Sequence, residues 1–488
     1  MGAATQTGNA WQFQPLLPEP TVKLSAISKV VRMARNALLL FAGATAIAGP
    51  VQKRDDAARA EQVKDMKFGM FVCWSFSTFA GKEWTTEPHG PDFFKATGYD
   101  TDQWCRTAKE AGMDYILFLA KHHDGFCLWD TKTTGQKVTN SPLGIDVLAK
   151  LRTSCDTYGI KLALYFSEGD WTWPGRKGTR SGANPEVKKA QLKELCTQYG
   201  PIEFFWMDHA TNDGGLSHNE TVKWVRQFQP NCFVGFNHGT SAGRLALRER
   251  GRPGPIGGKN LRRHGKGMED GHKGYLVAEF TYPILPPHRG GAQWFYSLPT
   301  HDNLCLPAEK VYRDYLGAVK HGNIFSIDVG PDYAGKLRDV DVATLRKVGK
   351  YVRGELELPP PPVSQGKAAT ASGTWQGTPG YGPGMAFDGD EATRWGCAEG
   401  SRTGWLAVDL GEPMTITRAV IVEATWNRVR RFELQCKEGE TWRTFATGTT
   451  LGERKELTFA PVKAQHFRLS ILEASDVPTI VEVELHVR

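Results

Sequence analysis

The sequence predicts an α/β chain: a (β/α)8 TIM-like barrel followed by a smaller antiparallel β-sandwich. Three observations predict it. Between about residues 62 and 356, short apolar runs alternate with segments whose apolar residues recur at helical spacing. No glycine-rich dinucleotide turn or Walker-type loop interrupts that pattern, so a closed barrel fits it better than an open nucleotide-binding sheet. Four consecutive prolines, Pro359 to Pro362, then separate it from a pattern of short strands and turns that runs to the C-terminus.

Barrel strands are expected at 66–74 (MKFGMFVCW), 113–123 (MDYILFLAKHH), 160–171 (IKLALYFSEGDW) and 202–208 (IEFFWMD), then at 232–237 (CFVGFN), 275–280 (YLVAEF) and 323–331 (NIFSIDVGP). Helices are expected in TDQWCRTAKEAG, IDVLAKLRTSCDTYG, PEVKKAQLKELCTQYG, ETVKWVRQFQP and KVYRDYLGAVKHG, which lie between them. Residues 239–268 read as a glycine-rich basic loop on the rim, carrying Arg244, Arg248, Arg250, Arg252, Lys259, Arg262, Arg263 and Lys266. A solvated loop and a cover that attracts an anionic glycan both fit that composition. Residues 357–366 form the proline linker, a stiff spacer. Residues 367–488 form the sandwich, with WLAVDLG, TRAVIVEA, RRFELQCKEG, HFRLSIL and VEVELHV as strands.

Residues 1–50 read as a targeting segment. ALLLFAGATAIA has the length of a signal h-region, follows Arg32 and Arg35, and offers small residues for cleavage. Met33 would start a compact signal peptide. The run is shorter than the roughly 20 residues of a membrane-spanning helix, so the expectation is export to the periplasm or the extracellular space, with no integral span. The net charge of +7 is spread along the chain, and RNP and zinc-finger spacings are absent, which argues against a nucleic-acid partner. The nine cysteines form no C-x-x-C pair and read mostly as buried thiols, with Cys397 and Cys436 able to pair within the sandwich.

Chemistry concentrates at two strand ends. The run from Ile202 ends in Trp206-Met207-Asp208, and the run from Met113 ends in His122-His123-Asp124. Catalytic side chains of parallel barrels project from C-terminal strand ends. An acid and two imidazoles on one rim suit a small, hydroxyl-rich substrate.

Six motifs in order make the segment from Lys64 to Leu356 resemble glycoside hydrolase family 29, the α-L-fucosidases. FGMFVCWS stands for the family's F-G-x-F-x-H-W-G, KEW for its E-W, and KHHDGFCLWDT for its K-H-H-D-G-F. LALYFSEGDW stands for its Y-Y-S and D-W stretch, FFWMD for its W-x-D nucleophile strand, and NIFSIDVGPDYAGKL for its closing strand. The resemblance implies an exo-acting enzyme that hydrolyses terminal α-L-fucosyl linkages of oligosaccharides or polysaccharides by double displacement, with no cofactor. It implies Asp208 as nucleophile and Glu83, Trp84, His122, His123, Tyr165, Trp206 and Trp294 as fucose-binding residues. Retaining hydrolysis also needs an acid/base carboxyl. Glu279, in YLVAEF, is expected to supply it in preference to Glu269 or Asp270 in the basic loop.

Two departures stand out. Cys73 occupies the place of the family's histidine in the first strand, and Asn237-His238-Gly239 stand where an arginine is usual. They leave an α-L-galactoside or a sulfated fucoside as alternative substrates, and a catalytically decayed glycan-binding protein as a second alternative.

Residues 366–488, with AFDGDEATRW, GWLAVDLG and TIVEVELHV, resemble a discoidin-like, family 32 type carbohydrate-binding module. That resemblance implies a structural calcium held by Asp388, Asp390, Thr393 and Glu482, oxygen donors that suit a hard cation. Trp375, Tyr381 and Arg402 fall in loops placed to meet sugar.

Overall fold

A computed structural model describes residues 55–208, 212–238, 243–251, 253–256, 274–390, 393–424, 426–452 and 454–487. The expected targeting segment with Met33, the two rival acids Glu269 and Asp270, and most of the basic stretch lie outside the described residues.

Eight parallel strands close into a barrel in chain order: β1 (Phe68–Val72), β2 (Tyr115–Lys121), β3 (Lys161–Ser167), β4 (Phe204–Asp208), β5 (Phe233–Phe236), β6 (Arg244–Glu249), β7 (Val277–Pro283) and β8 (Ile324–Val329). Their near-continuous apolar runs are what a sheet covered on both faces requires. All five residues of β1 and all seven of β2 are buried. Gly69 shows how tightly the interior is filled, because a Cβ there would lie 2.3 Å from the Tyr115 ring. Tyr115 passes over Gly69 of β1 to meet Ser326 Oγ of β8 at 2.7 Å.

The covering helices start where their capping residues dictate. Asp100 accepts from Gln103 N to open α3 (Thr101–Glu110), which follows α1 (Asp56–Lys64) and the short α2 (Phe76–Ala80). Asp146 opens α4 (Val147–Tyr158), and Asn184 opens α5 (Pro185–Gln198). Ser217 and Glu220 form a capping box on α6 (His218–Phe228). Two helices, α7 (Ala308–Val319) and α8 (Asp339–Val352), complete the layer. Helix α1 puts Ala60 and Val63 into the barrel core and Asp56 against Arg244 at 2.7 Å, so the packed unit extends upstream of residue 62.

Strand β6 corrects the reading of 239–268 as an uninterrupted loop. Only Leu245-Ala246-Leu247 are apolar there, too few to stand out between arginines. The arginines are nonetheless accommodated: Arg244 pairs with Asp56, and Arg248 is buried with its guanidinium on the Leu247 carbonyl.

The C-terminal unit is an antiparallel sheet folded around its own core of Phe387, Trp395, Leu406, Phe432 and Phe467. Its strands are β9 (Ala368–Ala371), β10 (Trp395–Gly396), β11 (Gly404–Glu423), β12 (Val429–Glu438), β13 (Thr441–Gly448), β14 (Lys455–Ala474) and β15 (Thr479–His486). They lie in the order β10-β15-β11-β14-β12-β13, with β9 on β11. Register shifts in β11 bend it so that one strand serves both halves of the sandwich. That order places three strands between Cys397 and Cys436, so the pairing open to them does not form, and all nine cysteines are free. The prolines are held at both ends: Arg313 donates to the Pro359 carbonyl, and Val363 N donates to Leu485 O. No helix among the described residues is long and apolar enough to cross a membrane.

Candidate active site

Because all eight strands are parallel, their last residues share one rim. There they surround a cavity of about 720 Å³. Glu83, Trp84, His122, His123, Tyr165, Trp206, Asp208 and Trp294, all expected from sequence, line it, and Glu279 does not.

Asp208, the last residue of β4, is the most heavily bonded group in the cavity. Its Oδ2 accepts from Tyr165 Oη at 2.7 Å and lies 3.4 Å from His123 Nε2, while its Oδ1 accepts from Asn237 Nδ2 at 3.0 Å. Burial pushes its pKa up, but His123, Asn237 and Tyr165 outweigh that and hold it far below the usual carboxylate range. Asp208 is therefore ionised. His123 is fixed from behind: its Nδ1 lies 2.7 Å from Ser167 Oγ, itself 2.6 Å from the Gly169 carbonyl, which turns Nε2 toward Asp208.

A carboxylate beside Asp208 in the cavity is that of Glu249, the last residue of β6. Asn237 Nδ2, at 3.0 Å from Asp208, also donates to Glu249 Oε2 at 2.9 Å. Two acceptors on one trigonal amide nitrogen lie about 5 Å apart. Sequence reasoning missed Glu249 because β6 was read as loop. The available signal was the short apolar run Leu245-Ala246-Leu247 between two arginines, a few residues beyond the strand expected at 232–237.

Glu279 lies deeper than expected. Strand β7 runs on to Pro283, and its register pairs Glu279 with Leu247 and Thr281 with Glu249. Glu279 is thus two residues, about 7 Å, below the level of Glu249. It is fully buried beneath Trp206, whose Nε1 donates to it at 3.0 Å. Burial raises its pKa to about 7, against hydrogen bonds from Ser326 and Trp206 that lower it. Glu279 thus has the raised pKa that an acid catalyst needs, but it is shut away from the cavity. This corrects the placement of Glu279 on the rim.

The remaining walls are aromatic and polar. Glu83 Oε2 accepts from the backbone of Gln293 at 2.8 Å and Trp294 at 3.3 Å, tying the loop after β1 to the loop after β7. Burial raises the Glu83 pKa. Arg250 lies 5.2 Å over the Trp294 ring. Trp84 is half exposed at the mouth and meets Trp171 edge-on at 6.2 Å. Burial, then neighbouring His123, depress His122 well below the usual range, so it is a neutral imidazole. Cys73 also lines the cavity, with the buried carboxyl of Asp328 of β8 as its nearest charged influence. Burial and that carboxyl push the thiol pKa up, and burial pushes Asp328 up as well.

In the C-terminal unit, Asp388, Thr393 and the Asp390 carbonyl meet, while among the described residues no three His, Cys, Asp or Glu side chains gather as a metal site. Thr393 Oγ1 lies 3.0 and 2.9 Å from the two Asp388 oxygens, 3.1 Å from Met385 O and 2.9 Å from Asp390 O. Glu482 Oε2 accepts from Gly389 N at 3.2 Å on the same turn. One hydroxyl proton cannot serve four acceptors, and this surplus of oxygen lone pairs fits a hard cation. Asp390 contributes its carbonyl to the cluster.

Residues 44–357 match the family model described as alpha-L-fucosidase, and residues 368–484 match that of the F5/8 type C domain. An α-L-fucosidase 1 of Arabidopsis thaliana is 25% identical over 446 residues, which cover 86% of this chain and 84% of that protein. A mouse tissue α-L-fucosidase is 22% identical over 334 residues, covering 59% of this chain and 68% of the mouse protein. A Ruminococcus gnavus fucosidase solved in complex with fucose shares the fold with a TM-score of 0.50 at 20% identity, covering 89% of this chain and 95% of that one.

Proposed function

The chain belongs to the α-L-fucosidase family of glycoside hydrolases, and from that premise we propose that it removes terminal α-L-fucosyl groups from glycans with retention of configuration. The observation that carries this reading is the Asn237 amide shared between Asp208 and Glu249. It spaces two cavity carboxylates at about 5 Å, the separation of retaining rather than inverting glycosidases.

Asp208, ionised, attacks the anomeric carbon. Glu249 gives its proton to the glycosidic oxygen as that bond breaks, leaving a glycosyl ester on Asp208. Water then attacks the same carbon, Glu249 takes its proton, and the Asp208 carboxylate is released. The hydrogen bonds from Tyr165, Asn237 and His123 favour the departing carboxylate in this second step. Glu83, Trp84, His122 and Trp294 are positioned to hold the sugar hydroxyls and its C–H face. No step draws on a cofactor.

Calcium on Asp388, Asp390, Thr393 and Glu482 would bind the Asp388–Asp390 turn of the sandwich to β15, a structural role remote from the chemistry. The targeting character of residues 1–50 supports export to the periplasm or the extracellular space, where fucosylated glycans are met.

Proton NMR of the first product distinguishes the mechanisms. Retention delivers α-L-fucose before mutarotation; initial release of the β-anomer would refute the assignment of Asp208 as nucleophile. A second glycone, an α-L-galactoside or a sulfated fucoside, is favoured by one observation, the Cys73–Asp328 pair where the family strand carries histidine. Side-by-side turnover of aryl α-L-fucoside, aryl α-L-galactoside and sulfated fucoside decides between these glycones.

A further inference from the structure

Three titratable groups behind the cavity take no part in the steps above. Glu168 follows Ser167 at the end of β3, and its side chain, like that of Lys188 on α5, is fully buried. Lys188 Nζ donates to Glu168 Oε1 at 2.9 Å, and His218 Nε2, at the start of α6, lies 3.1 Å from Glu168 Oε2. Lys188 also donates to the carbonyls of Asp213 at 2.7 Å and Leu216 at 3.2 Å, and so ties down the 212–217 segment that follows β4. That segment packs directly on Glu168: a Cβ on Gly214, whose φ is +66°, would lie 2.1 Å from the Glu168 carbonyl oxygen. None of the three groups lines the cavity.

An ion pair this deeply buried loses about as much by desolvation as it gains by attraction, so an apolar pair of equal volume would serve stability as well. What an apolar pair lacks is directional bonds, and here those bonds lead to the reacting core. Glu168 N donates to the Asp208 carbonyl at 2.7 Å, which fixes the end of β4 against the end of β3. Any residue at 168 would carry that amide; the clamped carboxylate is what holds it still. On the other side, the His218 ring stacks on Phe236 at 4.0 Å, one residue before Asn237, whose amide spaces Asp208 from Glu249. We propose that Glu168, clamped by Lys188 and His218, is a positioning residue that holds the Asp208 carboxylate and the Asn237 amide in place for attack. The inference rests on the assignment of Asp208 as nucleophile.

Covalent labelling with 2-deoxy-2-fluoro-α-L-fucosyl fluoride, counted by intact mass, gives the number of working sites, so turnover of an activated aryl α-L-fucoside can be expressed per site. Burial lowers the Lys188 pKa and Glu168 holds it up, so in Glu168→Gln the lysine can shed its proton rather than unfold the barrel. Per-site kcat of Glu168→Gln should fall about 10- to 100-fold, with KM within about twofold of wild type. In Glu168→Gln/Lys188→Met, where neutral groups replace the pair, the melting temperature should return towards the wild-type value while the per-site rate stays low. A Glu168→Gln enzyme with fewer labelled sites but wild-type turnover at each would overturn the proposal, as would rate and melting temperature recovering together in the double variant. A wild type that neither labels nor hydrolyses fucoside would sink the hydrolase reading, and hydrogen exchange then decides whether Glu168 holds these strand ends. Glu168→Gln should speed amide exchange at 213–217 and 236–237 at least about tenfold with β1 and β2 unchanged, and wild-type exchange at those amides would overturn the positioning role.

Discussion

Asp208 and Glu249 accept hydrogen bonds from the same nitrogen, Asn237 Nδ2, at 3.0 and 2.9 Å. One side chain from the end of β5 therefore fixes the spacing between carboxylates delivered by β4 and β6. Three consecutive strand ends compose the reacting core, and its geometry depends on barrel closure rather than on any loop.

The first prediction assigns roles by leaving group. Glu249→Ala should cost poor leaving groups about 10²- to 10⁴-fold in kcat/KM while sparing activated aryl fucosides. Added azide should recover part of the lost rate. If Glu279→Ala shows that leaving-group dependence and Glu249→Ala does not, a carboxyl two residues lower must reach the substrate, and the placement argued from register is wrong.

Asp208→Ala should lower turnover by several orders of magnitude, with azide filling the vacated space to yield β-L-fucosyl azide. The product is identified by its anomeric coupling in proton NMR. Near-normal turnover of this variant would remove Asp208 from the nucleophilic role.

Glu279 makes a stability prediction independent of catalysis. Its pKa is raised by burial from 4.5 to about 7, so the folded state binds this proton more tightly than the unfolded chain. Stability from that proton is full below about 4.5 and is lost as pH rises through about 7. Glu279→Gln keeps an acceptor for Trp206 and removes the titration. Its stability relative to wild type should climb between those limits and level off above, by at most about 3 kcal/mol. Denaturant melts at pH 4, 5.5, 7 and 8 measure it, and a difference independent of pH would contradict the buried assignment.

Much of this site was legible because its strands announce themselves. Apolar runs ending abruptly in Asp208 or His122-His123 have few explanations other than a polar rim, and both lie at the cavity. Glu249 was hidden because the apolar part of β6 is three residues long and its flanking arginines read as solvated. What stabilises Arg244 is Asp56, 188 positions away, a partner that local sequence cannot reveal. Glu279 attracted attention for the opposite reason. Its apolar run in the sequence ends at Phe280, whereas pairing with β8 carries the strand to Pro283. Strand height depends on register, and register is a property of two strands together.

The oxygen cluster at Thr393 predicts a calcium effect confined to the sandwich. Millimolar calcium should raise the melting transition of that unit, EDTA should reverse the shift, and Asp388→Ala should abolish it. Aryl fucoside turnover should be the same in calcium and in EDTA. Identical calorimetric traces with and without calcium would dismiss the site.

The last prediction concerns Cys73, buried beside Asp328 inside the barrel wall. Two buried groups with pKa values pushed up form a neutral pair, so the thiol presents only a weak donor and acceptor to the sugar. An imidazole at this position would offer a stronger one, worth about 0.5–1.5 kcal/mol per neutral hydrogen bond. Cys73→His alone brings a larger ring against Asp328, whose carboxyl would then face an imidazole in place of a thiol. Pairing it with Asp328→Asn keeps a neutral partner behind the ring. If the cavity is otherwise shaped for fucose, the double variant should raise kcat/KM on aryl α-L-fucoside about 2- to 10-fold, mostly through KM, with the α-L-galactoside rate unchanged or lower. A wild type already efficient on the fucoside and impaired by the double change would mean that the cavity is built around the thiol. The Cys73–Asp328 pair would then be part of glycone recognition rather than a lost contact.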